Sequence, residues 1–292
     1  MSTFNTEQLL ENFVNDLDRR FNEEKDKNTF YTGFDALDEA LWNLQGGDLV
    51  LFQGAAASGK TALAVNLLHN FSMQGASTLF VSNGDKNEEI MLKIMALNSE
   101  IDIDRLRAGR IKEEDWPKLN KAVKTFSDNW KVTIHPGKTT SLKALQELAL
   151  SLELDHTFSI NEDTESSVNL IVIDDLHLNK KYSTQITKSL KALKELAMTL
   201  NIPILAFSSN SKTFQKEIIE QNTYIREYHY ESVLDFVDFG IKIHDFNPLP
   251  SLNSSHDKAL ELVITKNKRG KNAKVNLSFH SGFMKFKSLN LI

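Results

Sequence analysis

The stretch LFQGAAASGKTALAVNLL, residues 51–68, constrains this chain more than any other. An apolar run breaks at Gly54. Three alanines and then Ser58, Gly59, Lys60 and Thr61 follow, and an apolar pattern at helical spacing resumes from Ala62. G-x-x-x-x-G-K-[ST] between a strand and a helix is the spacing of a phosphate-binding loop. Small residues such as Ala57 and Ser58 let successive backbone N–H groups turn inward as an anion nest, and the helix that starts here adds its positive N-terminal end. In this pattern Lys60 reaches the β- and γ-phosphates of a bound nucleotide, and the Thr61 hydroxyl goes to Mg²⁺. The expected ligand is ATP with Mg²⁺, bound by Gly54, Ala57, Ser58, Gly59, Lys60, Thr61 and Ala62.

The rest of the chain supplies the strand–helix context that this loop needs. DLVLFQ reads as a strand and GKTALAVNLLHNF as a helix burying Leu63, Leu67 and Leu68. STLFVS, VNLIVID (168–174) and IPILAFS (202–208) read as further strands, with helices at EEIMLKIMAL and from about 184 to 200. Continuous apolar strands separated by helices imply an α/β fold with a mostly parallel sheet covered on both faces. ALELVITKNKRG and KVNLSFHSGFMKFK alternate at period two about a basic turn, which predicts an antiparallel extension at the C-terminal end. The polar segments 156–167 and 247–257 read as loops. Asp174 closes an apolar strand, where a buried carboxylate must be paired or face a metal. It is the expected holder of the Mg²⁺ shell, with a turn aspartate as the plainer alternative.

Residues 4 to about 24 place Leu10, Phe13, Leu17 and Phe21 on one helical face. That helix either folds back on its own domain or docks on a neighbouring subunit. Among 292 residues, 41% are hydrophobic and 25% charged, which suits a globular protein. No apolar run approaches the roughly 20 residues of a membrane span. The chain contains no cysteine, so disulfides, thiolate zinc sites and cysteine nucleophiles are excluded. With an N-terminus lacking a basic, signal-like start, this favours a cytoplasmic protein. The net charge of −5 means that a nucleic-acid partner needs a local basic patch.

Taken together, these segments resemble the C-terminal ATPase domain of the DnaB-type replicative helicases, within the RecA-like P-loop fold. TGFDALDEAL leading into the phosphate loop, LRAGRIKEEDWPKLNKAV (106–123), LIVIDDLHL, LKALKELAMTLNIPILAFSSNSK and LVITKNKRGKNAKVNLSF each resemble a segment of that domain, over about residues 28–285. The resemblance implies an ATPase domain at 29–292 preceded by a linker-type helix at 1–28, without the family's large N-terminal domain. It also implies a homo-oligomeric ring, expected to be a hexamer, acting on single-stranded DNA within a replication or mobile-element assembly.

Three positions depart from the family pattern. The glutamate that polarises the attacking water falls on Gly84, with Asp85 beside it. Asp85 is then either a displaced, shorter base or a turn residue. The glutamine that senses the γ-phosphate is replaced by Ser209 and Asn210. In the basic hairpin that reaches a neighbour's nucleotide, Lys266 matches, Lys268 stands in the arginine's place and Arg269 is adjacent. Lysine lacks the bidentate guanidinium, so Arg269 is the better chemical candidate if the register allows. Lys180 and Lys181 in one loop, and Lys212 and Lys216 in another, would contact DNA phosphates or else be solvated surface lysines. The expected function is a ring-forming ATP-dependent helicase or translocase. The alternatives are an ATP-binding assembly or loading factor with weak or lost hydrolysis, and a filament-forming recombination mediator, against which LRAGRIKEEDW argues.

Overall fold

A computed structural model describes residues 5–21, 29–136, parts of 144–151, 168–176, 183–209, 234–246 and 257–289. The expected loop at 156–167 and most of that at 247–257 lie outside these residues. Among the described residues, nine strands form one sheet. They are β1 (Leu49–Gly54), β2 (Ser77–Ser82), β3 (Lys131–Pro136), β4 (Leu170–Asp174), β5 (Ile204–Ser209), β6 (Phe239–Phe246), β7 (Asp257–Asn267), β8 (Lys274–His280) and β9 (Lys285–Ser288). Their spatial order is β3-β2-β4-β5-β1-β6-β7-β8-β9. The first six in that order pair in parallel, and β6 to β9 pair antiparallel. This is the parallel core with an antiparallel C-terminal extension that the sequence predicts.

The helices described over their full length are α1 (Thr6–Phe21), α2 (Asp35–Leu41), α3 (Lys60–Met73), α4 (Asn87–Ser99), α5 (Ile103–Arg107), α6 (Trp116–Asn129) and α7 (Ser183–Leu200). Successive side chains on a strand point to opposite faces, so a strand covered on both sides must be apolar throughout. In β1, Val50 and Phe52 join the layer built by Leu63, Leu67 and Phe71 of α3 and Ile90 and Ile94 of α4. Leu49 and Leu51 join the opposite layer with Leu190, Leu193 and Leu196 of α7. Phe52 stacks on Phe207 of β5 at 4.6 Å between centroids, locking the two central strands together.

Two strands are missing from the expectations. β3 is a sheet edge with no buried residue, and KVTIHP carries too little apolar signal. β6 is interrupted by Gly240, Lys242 and His244, although it is the hinge between the parallel and antiparallel halves. α1 forms as expected, with the Leu10, Phe13, Val14 and Leu17 side chains 62%, 59%, 53% and 49% exposed. Among the described residues no helix is long and apolar enough to cross a membrane.

Candidate nucleotide site

In a parallel sheet, ligands bind beyond the carboxyl ends of the strands. Gly54 of β1, Ser82 of β2, Asp174 of β4 and Ser209 of β5 occupy those ends. The turn from Gly54 to α3 contains two left-handed backbone positions, Ala57 at φ 62° and Gly59 at φ 87°. Gly54 has to lack a side chain because a Cβ there would collide with the Ser58 hydroxyl. Gly59 caps α3 with no side-chain acceptor, and Lys60, Thr61 and Ala62 form its first turn. N–H groups in a first turn have no intrahelical partner. These first-turn N–H groups therefore face the loop without an intrahelical acceptor, and the Ser58 hydroxyl is buried with no hydrogen-bond partner.

Lys60 is 7% exposed. Its ammonium folds over the loop, donating to the Gly54 carbonyl at 3.3 Å and the Ala55 carbonyl at 2.7 Å. Burial lowers its pKa, and the Asp175 and Asp174 carboxylates pull the other way. Asp174 is pushed up to about 6, chiefly by burial and further by the Asp175 and Asp85 charges; a hydrogen bond from Thr61 and the Lys93 charge oppose the rise. Its Oδ1 is buried without a partner. A buried carboxylate oxygen with no donor, beside a threonine hydroxyl at a helix N-terminus, fits the shell of a Mg²⁺ ion held mainly by phosphates and water.

Asp85 lies in the turn after β2. It is ion-paired with Lys93 of α4, and its carbonyl accepts from the Ser82 hydroxyl at 2.8 Å. Gly84 is not among the glycines with positive φ, and a Cβ there would meet nothing within 4 Å. The position where the family pattern carries glutamate is therefore sterically open. Ser209 points at the next acid: its N–H donates to Asp175 Oδ1 at 2.9 Å and its hydroxyl to Oδ2. Asn83 joins the same edge, its N–H on the Asp174 carbonyl and its Nδ2 on the Asp175 carbonyl at 3.0 Å. Asp175, Asn83 and Lys93 had no site role in the sequence reading. The signals available were the doubled acid in IDDL, the SNGD turn and a lone lysine in an apolar helix.

The basic hairpin lies elsewhere. Lys268 donates to Asp238 Oδ1 at 2.9 Å, and Lys194 of α7 holds Oδ2 at 2.6 Å. Lys266 donates to the Leu234 carbonyl. Arg269 has partners of its own. Its guanidinium is engaged within its own chain, with Asp48 at 2.6 Å, the Asn43 carbonyl at 3.1 Å and the Phe239 ring at 5.2 Å. Asp48 is buried, so its desolvation draws the guanidinium inward, and Arg269 is only 25% exposed. Lys268, 65% exposed, is the freer cation of the two. Asn210, Lys180, Lys181, Lys212 and Lys216 lie outside the described residues.

Residues 29–288 match the DnaB-like helicase C terminal domain family. The replicative DNA helicase DnaB of Pasteurella multocida is 26% identical over 270 residues, covering 88% of this chain and 55% of its own length. That of Geobacillus stearothermophilus is 25% identical over 269 residues, covering 88% and 56%. The chain thus spans about half the length of these relatives. A solved ATPase domain superposes with a TM-score of 0.78 at 18% identity, over 96% of this chain and 99% of the other. A DnaB-like replicative helicase studied for its interactions with primase gives 0.76 at 18%, over 96% and 66%. The fold is therefore RecA-like, and with the family match running from before β1 to the end of β9, the chain belongs to the DnaB-like helicase C-terminal domain family.

Proposed function

We propose that this chain is the ATP-hydrolysing motor of a homo-oligomeric ring, of six subunits, that moves on single-stranded DNA. The observation that carries the reading is the position of the two charged features on one sheet. The phosphate loop and Asp174 are at the carboxyl ends of the strands. Lys268 is at the opposite edge, its N–H on the Asp238 carbonyl, whose own N–H bonds the Leu49 carbonyl where β1 begins. Strand β1 separates them by about 17 Å. A cation there does not serve its own subunit's phosphates, but in a head-to-tail ring it meets those of the next subunit. In this reading Lys60 binds the β- and γ-phosphates, Thr61 and Asp174 hold the Mg²⁺ shell, Asp85 orients the attacking water and Lys268 acts from the neighbour. Ser209 and Asn210 stand in the place of the γ-phosphate sensor. Lys180, Lys181, Lys212 and Lys216 would contact the DNA backbone.

The uncovered apolar face of α1 supports its role as a tether onto the adjacent subunit. Removing residues 1–27 is expected to reduce assembly while the ATPase core stays folded; equal masses for full-length and truncated protein at every concentration would exclude the tether. The ring itself is tested by mass measurement with ATP, Mg²⁺ and single-stranded DNA. Six copies of the 33.1 kDa chain are expected, and a monomer under those conditions would overturn the proposal.

The Asp174 environment predicts a pH dependence. Its pKa in the fold, about 6, exceeds the ordinary 3.8, so the native state holds the proton more tightly than the unfolded chain. The associated stability is complete below the unfolded value and is lost as pH rises through 6. Cation binding requires the ionised form. Mg²⁺-dependent ATP binding is therefore expected to weaken as pH falls from 7 to 5, and Asp174→Asn should flatten that dependence. An unchanged slope in the variant would remove Asp174 from the Mg²⁺ shell.

A further inference from the structure

We propose that Lys93 is the positioning residue for the water-orienting carboxylate, holding Asp85 in the site beside Asp174. This rests on the hydrolysis reading above. Lys93 lies midway along α4, whose N-terminal end faces the nucleotide site. Side chains on a helix lean toward its N-terminus, so Lys93 is aimed back at the turn between β2 and α4. Its ammonium pairs with Asp85 Oδ2, and its side chain is 14% exposed against 33% for Asp85. A lysine this buried needs a nearby anion, and Asp85 is its ion-pair partner.

The need for such a residue follows from the local sequence. Asp85 is one methylene shorter than a glutamate and one residue beyond the usual position. It also shares the site with Asp174, a carboxylate that repels it. Left alone, its side chain would turn outward, where water screens the repulsion. Lys93 prevents that from one side, while the Ser82 hydroxyl anchors the Asp85 carbonyl from the other. The electrostatics at Asp174 agree, because the Asp85 charge raises its pKa and the Lys93 charge lowers it, as expected if all three share one site. Lys93 thus sets the geometry of a carboxylate that touches the water, without itself taking part in the proton transfer.

The test compares Lys93→Gln, Lys93→Arg, Asp85→Asn and the Lys93→Gln/Asp85→Asn double variant. Lys93→Gln is expected to lower the turnover number between about 10- and 100-fold, the range for misplacing a reacting group by about 1 Å. Affinity for Mg²⁺–ATP should stay within about twofold. Lys93→Arg should restore most of the turnover, and Lys93→Gln should have no further effect in the Asp85→Asn background. Equal losses from Lys93→Gln with and without Asp85, or a loss confined to ATP affinity, would overturn the assignment.

If the wild-type chain hydrolyses no ATP, the motor reading fails, and the pair is read instead from the Mg²⁺ concentration that supports ATP binding. Without Lys93 the site carries an uncompensated carboxylate, so Lys93→Gln should lower that concentration several-fold. The double variant should not. Identical Mg²⁺ requirements in the wild type and all four variants would then overturn the pairing.

Discussion

Replacing Lys60 with alanine is expected to weaken ATP binding by at least about tenfold, about 1.4 kcal/mol, and to abolish turnover. The ammonium is already inside the loop, held on the Gly54 and Ala55 carbonyls at 3.3 and 2.7 Å. A phosphate oxygen entering the nest would exchange neutral acceptors for a charged one, and a charge-assisted hydrogen bond is roughly twice as strong. The loss goes beyond that one bond. Lys60 is the cation facing both Asp174 and Asp175, and without it two carboxylates confront a polyanion. Direct titration of nucleotide into the folded variant checks this, and an unchanged dissociation constant would remove Lys60 from the site.

The second large effect separates Lys268 from Arg269. Lys268→Ala is expected to lower turnover about 10³-fold, the lower range for loss of a trans-acting cation at the γ-phosphate. Its cost in stability should be under about 1 kcal/mol, since Lys268 is exposed and Asp238 keeps Lys194 and the Leu49 N–H. Arg269→Ala should do the reverse in stability terms. It leaves Asp48 buried without its cation, which costs about 3 kcal/mol or more. Denaturant unfolding and phosphate release on the two variants give the comparison. A stable Arg269→Ala protein that has lost turnover would return the trans role to Arg269. Mixing Lys60→Ala with Lys268→Ala should restore activity, because a Lys268→Ala subunit beside a Lys60→Ala subunit rebuilds one complete site.

The phosphate loop, the parallel core and the acid that closes β4 were legible because each is written in a short local pattern. G-x-x-x-x-G-K-T specifies backbone shape through residue size, and the apolar strands declare burial on both faces. The C-terminal antiparallel strands were equally legible from their alternation. What escaped depends on pairings between residues distant in sequence. Arg269 looked like a free cation because Asp48, its partner, is more than two hundred residues earlier. The bond from the Ser209 hydroxyl to Asp175 was hidden for the same reason, because only the fold brings that acid alongside. Gly84 could have occupied a left-handed conformation closed to other residues, but only the backbone reveals that it does not. Lys93 was one lysine in an apolar helix until the turn after β2 brought Asp85 to it.

The open Cβ direction at Gly84 also bears on catalysis. A Cβ added at Gly84 meets nothing within 4 Å, and Gly84→Glu would set the longer carboxylate at the position where the family pattern carries it. The absence of that glutamate is the feature that sets a motor against a factor that only binds ATP. The most direct measurement of the central claim is therefore phosphate release by the wild-type chain at saturating Mg²⁺–ATP, with and without single-stranded DNA. The account predicts slow hydrolysis that rises when single-stranded DNA is added. No hydrolysis under either condition, or a rate indifferent to DNA, would contradict it.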